Sequence, residues 1–180
     1  MQNTKDLYQE LCTLLSEKIP QIKWFDLWHN QVNFLAEEHP FPTPAIFFAF
    51  RINDTNDVGE KVQHVGLQIM IYVYYETFAD TYKDSWNKES ALAFLDILNQ
   101  LQAALHGTSG ENYSEMRRLP GMAPVDAGEA GNLYQLPFYC TLVDYSAMKQ
   151  WTEGEVTDLT IESGQKPVEE QEEEENYFNP

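Results

Sequence analysis

The stretch VQHVGLQIMIYVYYE, residues 62–76, constrains the fold more than any other part of the sequence. Its residues alternate between two kinds, a pattern of period two that is typical of a β-strand and unlike that of a helix. One set is aliphatic and comprises Val65, Leu67, Ile69, Ile71 and Val73. The other set comprises Gln68, Met70, Tyr72 and Tyr74. We therefore expect a long strand with one aliphatic face and one largely aromatic face.

A second strand precedes this one, within HPFPTPAIFFAFRI at residues 39–52. Pro40, Pro42 and Pro44 remove three backbone donors and favour extended geometry, so they form a stiff lead-in to the strand. The run 45–52 is apolar on both faces, with Ile46, Phe48, Phe50 and Ile52 on one side and Phe47 and Ala49 on the other. The cluster NDTNDVGEK, residues 53–61, predicts a turn that joins the two strands into a hairpin.

Two helices are predicted from apolar residues that recur every three or four positions. The first helix carries Leu7, Tyr8, Leu11, Leu14, Leu15 and Ile19, and Pro20 ends it. The second runs from about residue 87 to residue 106, and Gly107 fits a cap at its C-terminal end. Its apolar stripe comprises Ala91, Phe94, Leu95, Leu98, Leu101 and Leu105, which Leu92 and Ile97 widen.

Three further strands complete the order α-β-ββ-α-ββ. They are predicted at residues 22–28, 113–119 and 133–146, with a long turn at 120–132. Pro137 in the last strand indicates an edge position or a bulge, because proline donates no ladder hydrogen bond. The predicted fold class is α+β, with two helices packed on one face of a mainly antiparallel sheet.

Charge divides the chain into two regions. Residues 150–180 contain one lysine and ten acidic residues, which give them half of the net charge of −18. We therefore expect one α+β domain at residues 1–150 and an acidic, flexible tail at residues 151–180. The acidic balance disfavours adhesion to nucleic acid or to an anionic membrane surface, since both would be repelled.

The sequence predicts a soluble chain with reduced thiols. Its first 18 residues lack the basic segment and apolar run of a signal peptide, and its longest apolar run, Ala45 to Phe50, is too short to span a bilayer. Cys12 and Cys140 could form one disulfide, but both read as small apolar residues beside the core.

No motif predicts a catalytic residue, a metal ligand or a cofactor, and the chain lacks the common phosphate-binding and nucleophile-elbow patterns. The four histidines, at positions 29, 39, 64 and 106, have no metal-binding spacing with cysteine or acidic residues. A Cys–His nucleophile pair stays open as an alternative. For the adjacent basic pair Arg117 and Arg118, charge pairing within an acidic protein and a ligand site are both open.

The second face of the predicted hairpin is the most informative surface. If the helices cover the aliphatic face, then Phe47, Met70, Tyr72 and Tyr74 lie on the opposite face. Aromatic residues and methionine are enriched in protein interfaces, so these four residues are candidates for a subunit interface. The alternative is a second layer that the chain's own loops form over them, and both interpretations remain open.

Residues 4–148 resemble the tail terminator, or tail-completion, proteins of tailed bacteriophages. The resemblance depends on the element order and on four segments: IKWFDLWHNQVNF, HPFPTPAIFFAF, the helix ALAFLDILNQLQAALHG, and LPFYCTLVDYSA. In these segments the chain is similar to small proteins of phages or prophages of Bacteroides-type genomes.

The resemblance implies a structural virion protein and no enzyme. It implies a homo-oligomeric ring, usually a hexamer, that caps the tail tube and joins it to the neck or connector protein, with DNA passing through the lumen. Such a protein is assembled in the host cytoplasm and has no membrane partner. Two alternatives stay open: another head–tail connector or tail-tube component, and a small-molecule-binding or enzymatic domain with a pocket beside the sheet, lined by tyrosine and tryptophan.

Overall fold

Three long strands form the centre of the sheet. A computed structural model describes residues 2–35, 40–76, 81–126 and 131–148, and the predicted acidic tail lies outside these ranges. The spatial order of the strands is β1-β2-β3-β6-β4, and β5 also pairs with β6. The helices are α1 (Gln2–Lys18) and α2 (Lys88–Leu105), and a 3₁₀ turn spans Gln31–Phe34. The strands are β1 (Trp24–Leu27), β2 (Ala45–Gly59), β3 (Val62–Tyr75), β4 (Ser114–Arg118), β5 (Ala123–Val125) and β6 (Asn132–Asp144).

These elements confirm the predicted fold class. All the long strand pairs are antiparallel, and only the short pair of β1 with β2 is parallel. The structure adds β5 inside the segment that was predicted as a long turn. Pro124 in the middle of that short strand weakens its sequence signal, because proline is rare in strands.

The β2–β3 hairpin is longer than the sequence predicts, and the expected turn at residues 53–61 is wrong. The strand β2 continues through this polar segment to Gly59, so the turn contains only Glu60 and Lys61. Lys61 adopts a positive φ of 63°, as tight turns require. Two register shifts, between Ile52 and Asp54 and between Asp57 and Gly59, absorb extra residues as bulges. Pairing with the long strand β3 thus overrides the turn preference of Asn and Asp.

The helices cover the aliphatic face of β3, as predicted. One buried cluster joins the inner stripes of α1 and α2 to the aliphatic residues of β2, β3 and β6. In α2 the stripe differs from the prediction at one position, because Ile97 is buried while Leu95 is 39% exposed. At the end of α2, Gly107 has a φ of 80°, but its N–H donates to the Met116 carbonyl and not to a carbonyl of the helix, so the predicted glycine cap is wrong.

Pro137 lies inside the sheet, so the predicted edge position is wrong. The strand β6 has β3 on one side and both β4 and β5 on the other. The carbonyl of Pro137 accepts the Leu119 N–H at 2.8 Å on the outer side, between the segments that pair with β5 and β4. Because the amide nitrogen of a strand residue points to the same side as its carbonyl, no bond to β3 is lost.

Two leucines of α2 test the corrected helix face. We expect Leu98→Ala to lower the free energy of unfolding by about 2–5 kcal/mol, because Leu98 is 4% exposed and its loss leaves a cavity. Leu95→Ala removes the same atoms from a more exposed position and should cost less than about 1 kcal/mol. Urea denaturation of both variants measures the difference, and equal losses would contradict the assignment of the helix face.

Candidate interaction surface

The helix-free face of the sheet carries the four residues predicted for a subunit interface. Side chains of β2, β3 and β6 alternate across the sheet, so those that do not enter the helix-covered core point to this face. At one end of the face a second buried cluster forms around Val32, Ala45, Phe47, Tyr74 and Leu133. The other end is polar. The two ends therefore differ in what a partner could contact.

The chain's own segment between β1 and β2 covers the aromatic end. Phe47 is 0% exposed and Tyr74 is 2% exposed. The ring centre of Phe41 lies 5.2 Å from that of Phe47 and 6.0 Å from that of Tyr74. The prediction that Phe47 and Tyr74 form an intersubunit contact is therefore wrong, and the alternative of a second layer holds for this half. The sequence did not predict that aromatic residues such as Phe41 cover this end of the face, because the segment between β1 and β2 has no periodic pattern.

Met70 and Tyr72 occupy the middle of the face and are half-buried. The Trp28 ring stacks on Tyr72 with centroids 4.0 Å apart and an interplanar angle of 13°. Burial raises the pKa of the Tyr72 hydroxyl above its ordinary value. We call Trp28, Met70 and Tyr72 the sheet patch. Of the four residues that the sequence predicts for a subunit interface, Met70 and Tyr72 remain accessible to another molecule.

A polar brace crosses β3 at the other end of the face. The Tyr139 hydroxyl donates to Asp54 Oδ2 at 3.3 Å, which joins β6 to β2 across Gly66 of β3. A Cβ at Gly66 would lie 2.3 Å from both side chains, so the brace needs glycine there. The guanidinium of Arg117 lies 4.8 Å from the Tyr139 ring centre, a cation–π contact. Arg117 therefore packs on the brace within the chain, whether or not it also binds a ligand.

Arg118, His106 and His29 also have internal partners. Arg118 donates to the Gln102 side chain, and its backbone N–H donates to Nδ1 of His106 at 3.2 Å. Nδ1 of His29 lies 3.3 Å from the Leu27 carbonyl oxygen. His39 lies outside the described residues. Within the described ranges, no three His, Cys, Asp or Glu residues group as metal ligands.

A cavity of about 550 Å³ lies between α1 and the loop that follows α2. Glu10 controls this loop: its carboxylate accepts the backbone N–H groups of Glu111 and Asn112 at 2.8 and 3.0 Å, and the Asn112 side chain at 2.9 Å. Gly110 is required beside it, because a Cβ there would lie 1.8 Å from Glu10 Oε1. Glu10 therefore anchors the loop to α1.

A smaller cleft of about 450 Å³ lies beside the sheet between the α1–β1 turn and α2. Tyr75, Lys23 and Asp96 line it, together with Gln21 and Gln100, whose side chains hydrogen-bond to each other at 2.6 Å. It contains one tyrosine and no tryptophan, unlike the aromatic pocket expected for a small-molecule domain.

Cys12 and Cys140 are both free thiols. Cys140 is fully buried in the helix-side core, where burial raises its pKa to about 12. Cys12 is partly buried against the same core, and burial raises its pKa as well. A nucleophilic cysteine is a thiolate at neutral pH, so these environments disfavour that role.

No helix in the described part of the chain is long and apolar enough to cross a membrane.

We expect Glu10→Ala to lower the free energy of unfolding by about 2 kcal/mol, since three donors lose a charged acceptor. Glu17 lines the same cavity and is exposed, so Glu17→Ala is the matched control and should change stability by less than about 0.5 kcal/mol. Chemical denaturation measures both. Equal stabilities of the two variants would exclude the anchoring role.

Thiol labelling tests the environment of Cys140. In a Cys12→Ser variant at pH 8, Cys140 should react with a disulfide reagent at least about a hundredfold more slowly than a free thiol, because burial limits both access and ionisation. In urea above the unfolding midpoint the rate should rise to that of a free thiol. Rapid labelling of the folded chain would show that Cys140 is accessible.

No protein-family model matches the chain, and no curated protein matches its sequence. The sheet patch and the distribution of charge are the features of the chain that bear on its role.

Proposed function

We propose that this chain is a structural virion protein that forms a homo-oligomeric ring, caps the tail tube of a bacteriophage and joins it to the neck. The observation that carries this proposal is the sheet patch. Met70 and the Trp28–Tyr72 stack are half-buried on a sheet face that has no helix over it. Large aromatic and methionine side chains at such a position are typical of protein interfaces. The resemblance of residues 4–148 to tail terminators is the reason for proposing a ring on a tail tube as the assembly that this interface forms.

The covered half of the face supports a rigid contact surface. The second buried cluster holds Trp28 against Phe47, with ring centres 5.9 Å apart, so the stack on Tyr72 is preformed. A preformed aromatic surface loses little side-chain entropy when a partner binds. The proposed partners are other copies of this chain, the tail-tube protein and the neck or connector protein.

The charge of the chain fits a channel through which DNA passes. With a net charge of −18, a ring of several copies would repel phosphates along its lumen, so DNA would move through without binding. In this proposal the protein assembles in the cytoplasm of the bacterial host and then remains in the virion at the tail–neck joint.

The oligomeric mass of a charged variant tests the sheet patch. We expect Met70→Glu to shift the protein from a ring to a monomer in size-exclusion chromatography with light scattering, because association would bury an unpaired carboxylate. Met70 is a better target than Tyr74, whose substitution would place the charge beneath Phe41 and unfold the domain.

Leu95→Glu provides the control, because Leu95 is exposed on α2, on the opposite side of the sheet. This variant should keep the mass of the wild-type assembly, and thermal unfolding should show that both variants fold. A wild-type chain that stays monomeric, with or without tail-tube protein, would contradict the ring. An unchanged mass for Met70→Glu would exclude the sheet patch as the interface.

A further inference from the structure

One edge of the sheet is open over most of its length. The strand β1 pairs with β2 only from Ala45 to Phe48. From Ala49 to Gly59, β2 pairs with β3 alone among the described residues. Every residue from Arg51 to Gly59 is exposed. We call the outer side of Ala49–Gly59 the free edge.

The main-chain groups that point outward along the free edge can be identified from one hydrogen bond. The Phe48 carbonyl accepts the Trp28 N–H at 2.9 Å on the outer side of β2. Alternate residues of a strand direct their N–H and C=O groups to the same side, so Phe50 and Ile52 also point outward. The bulge between Ile52 and Asp54 adds one residue, which makes Thr55 and Asp57 the next outward residues.

These outward groups form a template for another strand. None of the backbone bonds within the described part of the chain satisfies the outward groups of Phe50, Ile52, Thr55 or Asp57. The opposite edge differs, because Met116 of β4 exchanges bonds with Gly107 and Thr108 at 2.7 and 2.9 Å. Addition of a strand at β2 would satisfy the unpaired donors and acceptors of a fixed backbone.

We propose that the free edge binds an extended segment of a different protein as an added β-strand, and that this segment carries lysine or arginine. The free edge carries two acidic residues, Asp54 and Asp57, and one basic residue, Arg51. The whole chain carries a net charge of −18. A basic segment is attracted by the carboxylates of Asp54 and Asp57, whereas the same edge of a second copy carries the same two carboxylates and is repelled. Ile52 and Val58 are 40% and 52% exposed and give the segment apolar contacts.

The proposal is independent of the ring, because the sheet patch and the free edge are different surfaces. The probe is an eight-residue peptide with blocked ends in which lysine alternates with valine or threonine. Binding is measured by the anisotropy of a fluorescent label on the peptide. A glutamate-for-lysine peptide and a peptide methylated on alternate backbone nitrogens are the controls, and we expect both to bind at least tenfold more weakly.

Thr55→Pro removes one outward N–H without touching the ladder to β3, so it should weaken binding of the lysine peptide at least tenfold. Thr55→Val keeps this donor and should bind as the wild type does. Met70→Glu should also bind normally, which separates this test from that of the ring.

Amide hydrogen exchange of the wild-type chain tests the proposal without any substitution. The amides of Phe50, Ile52, Thr55 and Asp57 should exchange rapidly in the free chain and become protected when the peptide binds. Absence of peptide binding, protection at other strands only, or equal affinities for Thr55→Pro and Thr55→Val would overturn the proposal. A concentration-dependent dimer that Thr55→Pro abolishes would also overturn it, in favour of pairing between two copies.

Discussion

The whole structure depends on the double pairing of β3. This strand pairs with β2 from Val62 to Tyr74 and with β6 from Gln63 to Tyr75, so both of its edges are satisfied along almost their full length. A strand fixed in this way has a fixed register, and a shift by one residue would move every aliphatic side chain to the wrong face. The helices can then cover one face only, and the composition of β3 decides what the other face presents.

Much of this architecture could be predicted because β3 and the two helices have strong periodic patterns. Leu95 was misassigned because a stripe inferred from sequence is wider than the part that packs, and only the angle of α2 on the sheet decides between Leu95 and Ile97. The turn after Ile52 was misplaced because its polar residues favour turns locally, whereas the ladder to β3 holds them extended. In both positions tertiary contacts outweigh local preference.

The interaction surface was harder to predict than the fold. The sequence indicated an aromatic face on β3, yet Phe47 and Tyr74 prove to be covered by residues such as Phe41. A pattern within a strand cannot show which loop returns over it. The free edge was also hidden, since it results from the difference in length between β1, with four residues, and β2, with fifteen.

The Glu10 anchor has a consequence for the order in which the chain folds. Glu10 bonds to residues that are 101 and 102 positions later in the sequence. During synthesis α1 leaves the ribosome before the elements that follow it, and its anchoring partners and the strands that cover Leu7, Leu11 and Leu15 are made much later. The apolar stripe of α1 is thus uncovered while most of the domain is translated.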